Sequence, residues 1–378
     1  MQLEATLAGH FYWDGSILVT EWERVFGRTW ICAGREERLA EPGRFLTLEV
    51  GRESILVVRD REGRLGAFFN VCRHRGSRLV TEPEGRLKGA VSCPYHAWTY
   101  SLDGRLAGTP HLWEAAGLPK EQFSLRPVAV STWGGFVFIN LEGERAVPLV
   151  EVLGPLPERL RRYPLDTLRI GAREEHEVAC NWKILVENYL ECYHCPGVHP
   201  ELCDIVPLYR KGIVDAAGSD EIAWFREGAT TFTMGGVTRR PFLKGLSDDE
   251  KRRYDGESIF PTLLLNVFPD YAQYRILRPV APDRTRIVTE WLFDPETMAQ
   301  PGFDPSDAIE FINLIGRQDW AVCELVQKGV SSRSHDHGVY TPQESHSGTF
   351  KRWYLERFEA ALPVSREVPA GPGRPGAR

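Results

Sequence analysis

The sequence predicts an α+β protein in two parts, a small antiparallel β domain followed by a larger one in which helices pack on an antiparallel sheet. Three observations carry this. At 378 residues the chain exceeds the ~100–200 residues expected of a single domain. From Phe45 to Leu141 it is a succession of short apolar runs separated by turn signals. Beyond Thr262, longer strand-like runs give way to a helical period that ends near Lys328.

The first strands are "FLTLEV" from Phe45, "SILVVRD" from Ser54, "LGAFFNV" from Leu65, "WTYSL" from Trp98 and "FVFINL" from Phe136, with Glu62-Gly63 and Asp103-Gly104 as hairpin signals. The Pro- and Arg-rich stretch from Ala146 to Leu165 carries the chain into the second domain. There "CNWKILVENYLECYHC", Cys180 to Cys195, reads as a helix ended by Pro196-Gly197. Then "TLLLNVF", "YAQYRILRPV" and "TRIVTEWLF" read as strands, the last two joined at Pro282-Asp283. Asp304 is the expected N-cap of the final long helix, with Pro305 and Asp307 in its first turn. The tail from residue 363 to 378 has the composition of a disordered segment, and no internal repeat is visible.

Composition excludes several classes. Hydrophobic residues make up 42% and charged residues 26%, which suits a globular protein with a sizeable core. No apolar run reaches the ~18 residues needed to cross a bilayer, and the N-terminus lacks the pattern of a signal peptide, so the cytoplasm is the expected compartment. A net charge of −6 argues against nucleic acid as a partner. Eight cysteines are too dilute for a disulfide framework, so each is a core thiol or a ligand.

Spacing picks out Cys72-x-His74 and Cys93-x-x-His96, with 18 residues between His74 and Cys93. Two Cys and two His suit tetrahedral zinc, but zinc fingers usually pair Cys with Cys and His with His along the chain. Here each loop offers one of each. A Rieske [2Fe-2S] centre needs that order, with Cys72 and Cys93 on one iron and His74 and His96 on the other. Gly76 and Pro94 would shape the loops, and Tyr95 is placed to hydrogen-bond the cluster or its ligands. Arg73, Arg75 and Arg78 either satisfy local oxygens or form a collar for an acidic electron donor.

Electrons need a destination. His194 and His199 lie five residues apart, which on an unbroken helix would separate the rings by ~140°, so the break after Cys195 must bring His199 back. Non-heme iron(II) that activates oxygen commonly takes two His and one carboxylate. In the last helix Ile312, Ile315, Val322 and Val326 form a stripe, and the slot between Ile315 and Val322 holds Asp319. A carboxylate on that face is costly unless paired or ligated, which makes Asp319 the candidate third ligand and a buried salt bridge its alternative. Cys192 and Cys195 read first as inert buried thiols beside the site, with zinc or redox chemistry as the sharper reading.

Together these motifs resemble the catalytic α subunit of the Rieske non-heme iron oxygenases, from about Phe11 to Phe358. "NWK", "EN" (Glu187-Asn188), Glu191-x-x-His194 with His199, and "QDW" at Gln318 carry the likeness beyond the cluster motif. The resemblance implies a Rieske β domain at 43–146, a helix-grip catalytic domain at 147–362, and a segment 1–42 packing with the catalytic part. It implies a homotrimer in which Glu191 bridges His194 to the neighbouring subunit's His96, with Asn188 beside it as a further catalytic residue. Most of the family has Asp at the bridge. Glu191 is similar instead to the branch acting on glycine betaine, carnitine and stachydrine, and so implies hydroxylation and N-demethylation of a quaternary ammonium compound with formaldehyde release. Aromatic-ring hydroxylation is the alternative, and an electron carrier or zinc protein a third reading. Cationic substrates favour aromatic walls, for which Trp224, Phe225, Tyr271, Tyr274 and Trp291 are candidates. No G-x-G-x-x-G follows a strand, so an NAD(P)H-dependent reductase or ferredoxin is expected to supply the electrons.

Overall fold

The computed structural model describes residues 3–110, 112, 117–214 and 223–360. Its first half is a seven-stranded antiparallel sheet in the order Ile31–Arg35, Phe136–Asn140, Pro127–Trp133, Leu65–Phe69, Glu53–Arg59, Arg44–Val50, Glu84–Arg86. A three-stranded sheet, Ala90–Ser92, Thr99–Ser101 and Leu106–Gly108, sits beside it. Both expected hairpins form, and Gly63 and Gly104 adopt the positive φ their turns require.

Strand Glu53–Arg59 shows how sequence becomes a partition. Ile55, Leu56, Val57 and Val58 are all fully buried, because both faces of this central strand are covered. Ile55 and Val57 face a core shared with Trp182 and Phe350 of the second half, whereas Leu56 and Val58 face Cys72 and Cys93. Each such side chain contributes roughly 1.5–3 kcal/mol by burial. The strand therefore stabilises both compartments.

The second half is a five-stranded antiparallel sheet in the order Arg169–Val178, Arg284–Phe293, Ala272–Ala281, Leu263–Val267, Asp255–Ile259. Arg169–Val178 was not anticipated, since "RIGAREEHEV" is polar along nearly its whole length. It forms an edge, with nine of its ten residues partly buried or exposed, and pairs with Arg284–Phe293 across nine positions. Three helices bear on the site: a lead-in helix Trp182–Tyr189, a long helix Ser306–Val330 and a C-terminal helix Ser345–Phe358. The long helix begins one residue later than expected, with Pro305 at the N-cap position and no side-chain cap, and the Asp304 carboxylate just before it accepts from the Ser306 N–H at 2.9 Å. Among the described residues no helix is long and apolar enough to cross a membrane.

The ends of the chain meet on the lead-in helix. Glu21 accepts from the Lys183 ammonium at 2.5 Å, the Trp182 indole at 2.9 Å and the Tyr354 hydroxyl at 2.7 Å, with Glu21 and Lys183 both fully buried. A buried charge pair holds only with such additional partners. Glu187 similarly accepts from Tyr12 and Tyr340. Residues before Gly43 thus divide: Tyr12 and Glu21 join the second half, while Ile31–Arg35 pairs with Phe136–Asn140 in the first sheet. The expected disordered tail lies outside the described residues.

Candidate active site

Two loops carry the cluster candidates. In the first, the Cys72 N–H donates to the Ser77 carbonyl at 2.7 Å and the Gly76 N–H to the Cys72 carbonyl at 3.0 Å; in the second, Cys93 N–H donates to Trp98 at 2.8 Å and Ala97 N–H to Cys93 at 3.0 Å. Gly76 and Ala97 both sit in the left-handed region that closes these turns. The result is two matched loops. Both thiols are buried and free, His74 is exposed and His96 half-buried, and the two rings lie 4.8 Å apart. Buried sulfurs and outward imidazoles suit a cluster whose one iron faces the core and whose other faces the surface. Among the described residues His96 Nδ1 is buried without a hydrogen-bond partner, as a nitrogen reserved for a metal would be. Burial opposes charge on Cys93, but the N–H groups of Tyr95 and His96 outweigh it and bring the thiol below its ordinary range.

The outer contacts differ from expectation. Tyr100, not Tyr95, places its hydroxyl 3.3 Å from Cys72 Sγ, and the same hydroxyl accepts from the Arg73 N–H at 2.9 Å. Tyr95 is exposed and leans on His96, with Arg75 over its ring. His74 stacks on Trp98 at 4.7 Å. Arg78 makes two bonds to Glu49, so one member of the arginine collar is neutralised locally.

The expected helix from Cys180 to Cys195 stops at Tyr189. Glu191 ends it, because its carboxylate accepts from the Tyr193 and His194 N–H groups that a continuing helix would need. Two short helical segments follow, Cys195–Val198 and Pro200–Ile205, with His199 between them in a non-helical conformation. The broken path brings the imidazoles together. His194 Nε2 and His199 Nε2 are 3.1 Å apart, and Asp319 Oδ1 lies 3.3 Å from the first and 2.8 Å from the second. Asn188 Nδ2 is 3.4 Å from His194 Nε2.

Each imidazole is oriented from behind. Glu191 Oε1 meets His194 Nδ1 at 2.5 Å, and Gln318 Oε1 meets His199 Nδ1 at 2.7 Å. Gln318 is held in turn by donating to Glu201 at 3.0 Å. Because both partners of Nδ1 are acceptors, Nδ1 carries a hydrogen, and Nε2 of each ring is left facing Asp319 to hold a proton or a metal there. Burial disfavours charge on His194, yet hydrogen bonds to Asp319 and Glu191 lift it to about 9. Burial likewise opposes ionisation of Asp319, but His194 and His199 hold it well below the carboxylate range. A metal would displace the proton that His194 holds here, and two imidazole nitrogens with one carboxylate are a set that fits a divalent metal. Cys195 Sγ is also near, 4.0 Å from His194 Nε2, but it is not a thiolate: Cys192 and Cys195 form a disulfide, against the expectation of free thiols.

The apolar stripe that pointed to Asp319 is half right. Ile312 is buried and Ile315 partly so, but beyond Asp319 the buried positions are Cys323, Gln327 and Val330, and Val326 is exposed. The inward face drifts one position relative to the expected stripe.

A cavity of about 630 Å³ opens on His194, His199 and Asp319. None of the five aromatics proposed for its wall lines it; Tyr271, Tyr274 and Trp291 belong to the core. Tyr209, Phe232, Tyr254 and Phe268 line it instead, with Phe232 4.6 Å from Tyr254 and 5.1 Å from Phe268.

Comparison with known proteins decides the family. The ring-hydroxylating alpha-subunit catalytic domain matches residues 165–360, and the Rieske [2Fe-2S] domain matches residues 29–120. The chain belongs to the Rieske non-heme iron oxygenases. As a Rieske oxygenase it uses a [2Fe-2S] cluster and a mononuclear iron. The glycine betaine monooxygenase oxygenase subunit of Pseudomonas aeruginosa is 30% identical over 383 residues, covering 92% of this chain and 88% of that protein. The carnitine monooxygenase oxygenase subunit of Acinetobacter pittii is 31% identical over 331 residues, covering 86% of this oxygenase and 85% of that one. A solved quaternary ammonium Rieske monooxygenase in complex with L-carnitine superposes with a TM-score of 0.74 at 27% identity, covering 94% and 96% of the two chains.

Proposed function

We propose that this Rieske oxygenase is the terminal component of a system that N-demethylates a small quaternary ammonium compound. Cys72 and Cys93 hold one iron of the cluster and His74 and His96 the other, while His194, His199 and Asp319 hold the mononuclear iron(II). When bound, these metals supply single electrons and oxygen activation. Overall, one atom of O2 enters a methyl C–H bond, and two electrons and two protons reduce the other atom to water. The carbinol then breaks its C–N bond, leaving formaldehyde and the protonated amine.

The protein's own residues position and shield. Glu191 and Gln318 fix the imidazoles, and the aromatic wall excludes water while offering ring faces to a cationic nitrogen. The observation that carries this reading is that wall, Tyr254, Phe232 and Phe268, in the same cavity as His194, His199 and Asp319. Glu191, like the relatives' named substrates, supports the same class. By family resemblance the oxygenase works as a cytoplasmic homotrimer, Glu191 bridges to the neighbouring subunit's His96, and a separate reductase or ferredoxin delivers electrons.

The test is a single turnover with the cluster chemically reduced, mononuclear iron confirmed, and O2 added with a panel of N-methylated ammonium compounds. Formaldehyde from one member is expected. None from a demonstrably loaded protein overturns the reading in favour of ring hydroxylation.

A further inference from the structure

The face of the five-stranded sheet that floors the cavity carries a row of polar side chains. Asn266 and Gln273 are directly opposed across their strands, as are Ser258 with Leu264 and Leu264 with Arg275. Residues two apart on a strand share a face, so Gln273 and Arg275 project together. All four polar residues line the cavity.

Gln273 is fully buried, and its orientation is set by a chain of bonds. The Tyr189 hydroxyl donates to Asn266 Oδ1 at 2.9 Å, and Asn266 Nδ2 donates to Gln273 Oε1 at 2.8 Å. That leaves Gln273 Nε2, a buried amide nitrogen with two hydrogens and no partner among the described residues. Ser258 Oγ and Arg275 Nε are likewise buried without partners. Unpaired donors at one site are costly unless a ligand satisfies them.

Charge points the same way. The two acids at this end of the cavity are already committed, Glu257 to Arg159 and Asp255 to Arg253 at 3.4 Å. Asp319 is held by the two imidazoles. Arg275 has no carboxylate within 4.0 Å among the described residues; one of its nitrogens donates to the Ile312 carbonyl at 3.3 Å, an approach that Gly316 permits by lacking a Cβ. A half-buried guanidinium thus shares a wall with unused N–H and O–H donors, and an oxyanion is the group that such donors satisfy.

We propose that Gln273 and Arg275 are specificity-determining residues that hold a carboxylate of the substrate, which is therefore a zwitterion with its ammonium methyls toward the aromatic wall. This rests on the demethylation reading for the identity of the cationic end. The carboxylate end rests on the polar row alone.

The test is calorimetric binding to the metal-loaded protein, using glycine betaine and γ-butyrobetaine, each paired with the alcohol that replaces its carboxylate. At least one acid is expected to bind ~10–100-fold more tightly than its alcohol, the range for loss of a bond to a charged group. Gln273→Glu keeps the acceptor for Asn266 and turns the free donor into a repelling oxygen, so it should abolish or reverse that preference. Arg275→Lys should weaken it. If the wild-type protein prefers neither acid, the proposal fails whatever the variants do; an undiminished preference in a folded Gln273→Glu protein removes Gln273 from the role. Formaldehyde is measured in parallel single turnovers of the prereduced, iron-loaded protein with O2 and the same four compounds. An acid preference with no formaldehyde from any compound keeps the carboxylate pole and overturns the demethylation reading.

Discussion

In the first half of the chain, four candidate ligands come from two loops within residues 72–96, and backbone hydrogen bonds inside each loop set their spacing. In the second half, three come from segments up to 125 residues apart, His194 to Asp319, and a further side chain stands behind each imidazole. The local site needs little from the rest of the fold. The distant one depends on two helices meeting and on polar side chains that orient its donors, so the two should fail differently when altered.

The largest separation is expected from Asp319→Ala. It removes the oxygen that lies 2.8 and 3.3 Å from the two imidazoles. Turnover should vanish and iron content fall to the cluster's share, while the visible spectrum of the cluster stays as it was. A bleached cluster would show that the two sites are not independent.

Glu191→Gln is next. The amide oxygen can still face His194 Nδ1, but the charge is lost, and second-sphere changes of this kind typically cost ~10–100-fold. Both metals should remain bound while reoxidation of the prereduced cluster, followed by stopped flow after mixing with O2 and substrate, slows by that factor. An unchanged rate would remove Glu191 from the electron path.

On the cluster side the expected effect is smaller. Tyr100→Phe deletes one hydroxyl at 3.3 Å from Cys72 Sγ and leaves the loop bonds intact. Hydrogen bonds to cluster ligands stabilise the reduced, more negative state, so the reduction potential should fall by tens of millivolts in voltammetry. An unchanged potential would mean the hydroxyl serves only the Arg73 N–H.

The same contrast governs what could be read in advance. Cys72, His74, Cys93 and His96 are legible because their spacing is local, and His194, His199 and Asp319 because a helical period exposes a misplaced acid. Gln318 enters the likeness as part of "QDW", but its role does not, since nothing in a polar residue beside Asp319 shows that His199 faces it. Tyr95 is suggested by its adjacency to His96, yet strand alternation turns Tyr100 inward and leaves Tyr95 on an exposed loop. The stop at Tyr189 was hidden because Glu191 ends the helix through backbone contacts, not through Pro or Gly. The cavity wall was wholly out of reach, as Tyr209, Phe232, Tyr254 and Phe268 come together only in three dimensions.

The most diagnostic effect concerns Glu187, one residue before Asn188 on the lead-in helix. Burial raises its carboxyl from the ordinary 4.5 to about 7, and the hydroxyls of Tyr340 and Tyr12 and the charge of Lys183 offset only part of that. The folded protein therefore holds a proton that the unfolded chain has released between these values. Stability from this group is greatest below 4.5 and declines as pH rises toward 7, on the order of 3 kcal/mol across the window. Glu187→Gln should flatten the decline in thermal melts of the metal-loaded protein. Because Tyr12 and Tyr340 tie both chain ends to this helix, the change should appear in the melting of the second half and leave the pH response of the cluster's visible signal unaltered. If the cluster signal follows the same pH curve, the two halves unfold as one unit, and the independence drawn between them is confined to their ligands.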